Sequence, residues 1–158
     1  MNLKLLEDLN CSQYIIEHSN AVLNKAQDIA ANFEIDEDVV GAGALMHDVG
    51  RLKTQGIWHG IEGGRILKEN GFPLEIVRIA EVHIGAGITQ AEAVKMGLPP
   101  QDYLPLSLEE KIVTHADNLI HGIKEVNLQF VVSKWEKSMG KDHPSLLRLR
   151  KLHRELLG

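Results

Sequence analysis

From Ile15 onward the apolar residues return at steps of three and four: Ile15, Ile16, Val22, Leu23, Ala26, Ile29, Ala30 and Phe33. That period lines one face of a helix, and Ser12 stands where its N-cap belongs. Asp36 opens a second helix through Val39, Val40, Ala44 and Leu45, with Gly50 as its expected stop. A loop follows from Arg51 to His59. Helices are then predicted over 60–70, closed by Gly71, and from Pro73, read as a first-turn proline, to about His83. Ser107 and Glu110 form a capping-box pattern that starts a helix through Leu119. Two further helices, 124–138 and 145–157, are separated by Gly140 and Pro144. No segment alternates with a period of two or has the β-branched density of a strand. The pattern predicts an all-α single domain over 1–158, with no internal repeat and no boundary.

One long stretch, Gly85 to Leu106, fits no helix in this reading. It has Gly85 and Gly87 near its start and Pro99, Pro100 and Pro105 near its end. Irregular segments of that length are commonly lids or binding loops, and this one is expected to finish a pocket.

Composition narrows the class. At 158 residues, 44% apolar and 25% charged, the chain suits one soluble domain with a sizeable core. Its longest apolar-plus-glycine run, Val39 to Met46, is far shorter than the ~20 residues a membrane helix needs. No basic and apolar leader opens it, so no secretory signal is expected. The lone Cys11 cannot form an internal disulfide, which points to the reducing cytoplasm. A net charge of −5 argues against general nucleic-acid binding, although the segment from Lys134 onward carries a net +4. A solvated final helix is the preferred account of that segment over an anionic ligand.

The eight histidines, against seven aromatic residues, change the picture. His47 and Asp48 close the apolar run Ala44-Leu45-Met46, so they sit at the last turn of a buried helix. A carboxylate there is costly unless a cation or donors satisfy it. His18 lies inside the preceding helix, and Asp117 follows the apolar Ile112 and Val113. Two imidazoles and two carboxylates from three helices suit a borderline divalent metal. His115 and His121 flank Asp117 and are read as solvated or capping residues; His143 and His153 are read as ordinary surface or core histidines without a ligand role.

The series His18…His47-Asp48…Asp117 on successive helices resembles the HD superfamily of metal-dependent phosphohydrolases. His47-Asp48-Val49-Gly50 is close to its His-Asp-Ile-Gly signature, and Leu108–Leu119 is similar to a group of small archaeal HDIG proteins. The resemblance covers roughly 12–122 and leaves the C-terminal helices 124–157 to pack on that core. It implies an HD-type helical bundle. His59 and His83 fall where two-metal members, such as the dinucleoside tetraphosphate hydrolases, place further ligands. By that likeness Asp48 bridges two ions, with His18, His47 and Asp117 on one and His59 and His83 on the other. The other reading of His59 and His83 is contact with substrate phosphate or water alone. His83 is followed by Ile84 and no Gly-Tyr-Pro follows, so the cyclic-di-GMP phosphodiesterase branch does not fit.

The implied activity is hydrolysis of a nucleotide or small phosphate ester. A divalent ion lowers the pKa of bound water from about 16 towards about 7, and Asp48 would orient that nucleophile. Arg51, three residues on, either pairs with a phosphate oxygen through its planar fork or stays a surface cation at a helix end. Mixed imidazole and carboxylate ligands admit one or two ions of Mn, Fe, Co, Ni or Zn. The competing class is a metal- or nucleotide-binding HD module without turnover. A third is an RNA-processing partner using the basic C-terminal helix.

Overall fold

The computed structural model describes residues 4–158. Their helices, in chain order, are α1 (Lys4–Asp8), α2 (Gln13–Ala30), α3 (Glu37–Met46), a 3-10 turn (Val49–Leu52), α4 (His59–Glu69), α5 (Leu74–Val82), α6 (Gln90–Met96), α7 (Leu108–Asn118), α8 (Leu128–Met139) and α9 (Pro144–Leu157). The fold is all-α, as the periodicity predicts. No described helix is long and apolar enough to cross a membrane.

Local chemistry sets the helix starts. The Ser12 hydroxyl accepts the Ile15 N–H, and the Asp36 carboxylate accepts those of Asp38 and Val39. Ser107 and Glu110 close a reciprocal capping box, each side chain accepting the other's backbone N–H. Asn127 caps α8 by accepting the Phe130 N–H through its side-chain oxygen.

Packing then centres on α3, whose Val40, Ala42, Gly43, Ala44, Leu45 and Met46 are all buried. It lies against α2, α5 and α7 at once. Leu45 and Met46 join Ile15, Ile16, Leu67 and Val77 in one apolar cluster. Val40 and Ala44 join Val22, Ile29, Ile79 and Ile112 in a second. A β-carbon on Gly43 would come within 2.3 Å of Ile79 Cδ1, so glycine leaves the room that the Ile79 side chain of α5 fills against α3. A helix gripped on three sides holds its C-terminal residues rigidly, and those residues are His47 and Asp48. A third cluster, built on Val131, Val132, Leu146 and Leu149, packs α8 and α9 against Leu119 and Ala86.

Several elements differ from the sequence expectation. The stretch 85–106 is ordered: Thr89 and Glu92 form a capping box that opens α6, Gly97 ends it with φ +77°, and Ile88 bridges Tyr103. Its Thr-x-x-Glu signature was present between the glycines and prolines that read as loop. Residues 124–125 are not helical: β1 (Ile120–His121) pairs antiparallel with β2 (Lys124–Glu125) around Gly122. Strands of two residues are too short for alternation to show. α2 ends at Ala30 rather than near Phe33, and Pro73 is the N-cap of α5 rather than a first-turn residue. Gly50 does not stop α3, which ends at Met46; it lies inside the 3-10 turn.

Candidate metal centre

Four histidines reach one point from three helix ends and one helix interior. His47 caps the C-terminus of α3, His83 caps that of α5, His59 opens α4, and His18 lies within α2. All four are buried, His47 completely. Each gives its Nδ1 to a backbone carbonyl: His47 to Ala44 at 2.7 Å, His83 to Ala80 at 2.8 Å, His59 to Gly56 at 2.9 Å, and His18 to Gly122. A carbonyl can only accept, so Nδ1 carries the proton in every ring. The Nε2 lone pairs are thereby turned inward, as metal-binding imidazoles require.

Two carboxylates meet those lone pairs. Asp117 Oδ1, at the end of α7, lies 3.0 Å from His18 Nε2 and 3.3 Å from His47 Nε2. Asp48 divides its oxygens: Oδ1 faces His59 and His83 at 3.3 and 3.4 Å, while Oδ2 accepts from Arg51 Nε at 2.9 Å and lies 3.9 Å from His18. His59 and His83 bring their Nε2 atoms within 3.1 Å of each other. Two lone pairs at that distance repel unless a proton or a cation sits between them. His47 Nε2 is buried without a hydrogen-bond partner.

The chemistry of this donor set fits a divalent cation. His18, His47 and Asp117 offer three donor atoms within 4.8 Å of one another, and so do His47, Asp48 and His83. Neutral imidazole and carboxylate are the ligands that borderline transition metals take. The cluster supports a divalent metal without choosing which.

Electrostatics agree. Burial lowers the His47 imidazole, but the Asp117 and Asp48 charges outweigh it and raise the ring to about 9. Burial raises the Asp48 carboxyl, yet the His47 charge and the hydrogen bonds of His59 and His83 hold it far below the usual carboxylate range. Asp117 is held down in the same way by His47 and His18. For His83 burial wins and its value is lowered. Without a metal, the cluster keeps both carboxylates charged and stores a proton on His47. It is a site built for positive charge.

The cluster opens onto a cleft of about 830 Å³. Arg51, bound to Asp48, also reaches the Gln55 carbonyl at 3.3 Å and lines this cleft. Sequence reasoning missed the opposite wall. Trp135 of α8 lies over Gly85, where a β-carbon would be 3.7 Å from its ring, and Tyr14 stacks 6.3 Å from His18 with planes 5° apart. Trp135 has no local sequence signal, because its wall exists only once α8 folds back, whereas Tyr14 stands four residues before His18 on α2. His115 is a correction: it is fully buried, its Nε2 3.0 Å from His153 Nδ1, rather than solvated or capping. Burial and the nearby His153 and Lys25 lower it to about 4, so it is a neutral core residue. His121 is exposed, and His143 caps α9 by accepting from Ser145.

The HD domain family model matches residues 15–121, from α2 through β1. Uncharacterized protein MJ0778 of Methanocaldococcus jannaschii is 49% identical over 159 residues, covering 98% of this chain and 94% of that one. A tRNA (cytidine(56)-2'-O)-methyltransferase of Picrophilus torridus is 46% identical over 155 residues. That match takes in 98% of this chain but only 45% of the relative, so this chain spans less than half of it. Among solved structures, the HD domain of the Listeria monocytogenes phosphodiesterase PgpH, in complex with cyclic-di-AMP, shares the fold. Its TM-score is 0.58 at 19% identity, over 95% of this chain and 92% of that one.

Proposed function

This chain belongs to the HD domain family, and on that premise we propose that it is a metal-dependent phosphohydrolase acting on a nucleotide. The observation that carries the reading is the tautomer lock: four imidazoles fixed by backbone carbonyls, with every Nε2 turned towards the buried Asp48 and the half-buried Asp117. In this reading His18, His47, Asp48 and Asp117 hold one divalent ion, and His59, His83 and Asp48 hold a second. A purely structural site more often closes itself with cysteines, and this one faces an open cleft.

When bound, such ions supply Lewis acidity, lowering the pKa of a coordinated water to about 7 and neutralising phosphoryl charge. The chain does the rest. Asp48, with one oxygen on each side of the cluster, orients the attacking water. Arg51 is aimed by its Nε bond to Asp48 and presents its fork at the cleft for a non-bridging phosphate oxygen. Tyr14 and Trp135 give the cleft the flat apolar walls that a nucleobase fills. The cyclic-di-AMP bound by the PgpH domain is a nucleotide on the same fold.

A second reading is a metal- or nucleotide-binding module without turnover, serving a tRNA-modifying partner. Its support is the relative named for tRNA methylation, in which this chain corresponds to less than half the length. One screen separates the two. Chelated protein is reloaded with Mn, Fe, Co, Ni or Zn and assayed on nucleoside mono-, di- and triphosphates, dinucleoside polyphosphates and cyclic nucleotides. The hydrolase reading expects turnover with at least one metal, abolished by chelator and reduced by orders of magnitude in Asp48→Ala. Tight metal and nucleotide binding with no turnover on any substrate would select the module.

A further inference from the structure

The cleft does not end at the metal centre. Phe130, Lys134 and Ser138 of α8, with His121, line it and also line a second groove of about 710 Å³ on the outer side of that helix. Asn127, Gln129, Ser133 and Lys137 complete this outer groove. Phe130, Lys134 and Lys137 are spaced four and three residues apart, so they share one helix face. None of the residues lining the groove is acidic, in a chain with a net charge of −5. Glu136, the one acid on α8, turns instead to Arg150 at 3.9 Å. Among the described residues, no carboxylate comes within 4.0 Å of Lys134 or Lys137. Phe130 is 43% exposed, with its ring 5.2 Å from that of His121.

An exposed aromatic ring followed along one helix face by two unpaired ammonium groups is the chemistry that tracks a nucleic-acid strand: a face for a base, cations for successive phosphates. Size points the same way. Pockets for one drug-sized ligand run to about 300–1,000 Å³, and here a cleft near the top of that range runs on into a second groove. We infer that the substrate is a linear single-stranded oligonucleotide. Its terminal phosphate ester lies at the metal centre, a neighbouring base stacks on Phe130, and backbone phosphates meet Lys134 and Lys137. In the reaction the oxygen of water bonds to phosphorus, the ester P–O bond breaks, and a water proton ends on the departing hydroxyl. The inference rests on the phosphohydrolase reading for its chemistry, but strand binding can be measured without turnover.

The test is fluorescence anisotropy of the full chain, metal-free and metal-loaded, with 5′-fluorescein RNA and DNA hexanucleotides and a labelled mononucleotide. The hexanucleotides should bind at least tenfold more tightly than the mononucleotide, with the RNA and DNA arms showing which strand is preferred. Phe130→Ala should weaken hexanucleotide binding by roughly 5- to 100-fold, the range set by base–aromatic stacking. Lys134→Gln and Lys137→Gln should each reduce the salt dependence of binding by about one released ion. These side chains are partly or largely exposed, and circular dichroism will verify that the variants fold. In the assay, the ratio of kcat/KM for hexanucleotide to that for bis(4-nitrophenyl) phosphate should fall in all three. Equal binding of mononucleotide and hexanucleotide, or variants that bind the hexanucleotide as wild type does, would overturn the inference. Failure of metal-loaded wild type to cleave any ester, with strand binding intact, would overturn the phosphohydrolase reading instead.

Discussion

The α-carbon of Gly50 faces the backbone carbonyl of His59 so closely that a β-carbon there would lie 1.7 Å from the oxygen. The same β-carbon would be 2.6 Å from the Gly63 nitrogen. The turn after Asp48 is thus pressed onto the first turns of α4, and this contact brings His59 to Asp48. Gly50→Ala cannot be absorbed by a side chain swinging aside, because both obstacles are backbone. Overpacking of this kind costs about 1–3 kcal/mol or more, and for a chain this size each kcal/mol is worth roughly 2–4 °C. We expect Tm to fall by about 2–12 °C and metal retention to weaken with it. Gly63→Ala, whose nearest obstacle is 3.3 Å away, should be milder. Equal Tm for Gly50→Ala and wild type would show that turn and helix are not in this contact.

Gly50 also shows what the sequence could and could not reveal. A glycine after a helical run reads as a stop, and only the fold shows that it is needed for a contact with a residue nine positions on. His18, His47, Asp48 and Asp117 were legible because polar groups on helices facing apolar runs demand a partner. His115 had the same signal, three residues after the buried Ile112, and its placement at the surface overlooked it. Its partner His153 is 38 residues away, beyond any local pattern. The helix α6 was legible through Thr89 and Glu92 but masked by glycines and prolines. The α8 wall of the cleft was not legible, since no local feature of Phe130, Lys134 or Trp135 says which helix end they will face.

The second ion of the proposed site rests on His59 and His83, whose Nε2 atoms are 3.1 Å apart. If they hold metal, His59→Ala and His83→Ala should each lower bound metal from about two per chain towards one. His18, His47, Asp48 and Asp117 remain in both variants, so Tm should drop only modestly. Contact with substrate alone predicts constant metal content and a higher KM. Elemental analysis beside steady-state kinetics decides, and unchanged stoichiometry in both variants would reject the two-metal arrangement.

The proton held by His47 gives a pH signature that changes sign with metal. In metal-free protein the ring is raised to about 9 from an ordinary 6.5. Its stabilisation is therefore complete below pH 6.5 and lost as pH rises through 9. Metal must displace that proton, so affinity rises with pH over the same window. Thermal melts should show the metal-free chain losing several degrees between pH 6.5 and 9 while the gain from added metal grows. Calorimetry in buffers of different ionisation enthalpy should register proton release on metal binding. A metal-free Tm that is flat or rising across that window would contradict a protonated His47.

The last prediction concerns what holds the 85–106 segment over the cleft. Arg148, in the second turn of α9, shares the two hydrogens of its Nη2 among Glu92 Oε1 at 2.6 Å, the Gly87 carbonyl at 3.1 Å and Ser145 Oγ at 3.2 Å. One guanidinium thus ties the start of the segment and the first turn of α6 to the C-terminal helix. Glu92 and Met96 of α6 line the cleft themselves. Burial raises the Glu92 carboxyl, but the Thr89 backbone N–H and Arg148 outweigh it and hold it below the ordinary range. A carboxylate lowered in the folded state stabilises fully above its unfolded pKa of about 4.3 and loses that contribution as pH falls through the folded value. Glu92→Gln should therefore cost about 1–2 kcal/mol at pH 7, and the gap to wild type should close as pH drops below 4. With the tie loosened, KM should change more than kcat, substrate preference should shift, and metal content should stay constant because no metal-facing residue moves. A stability gap that persists at pH 3 would mean the Glu92 charge is not what anchors the segment. Kinetics untouched on every substrate would reduce the segment to a connector.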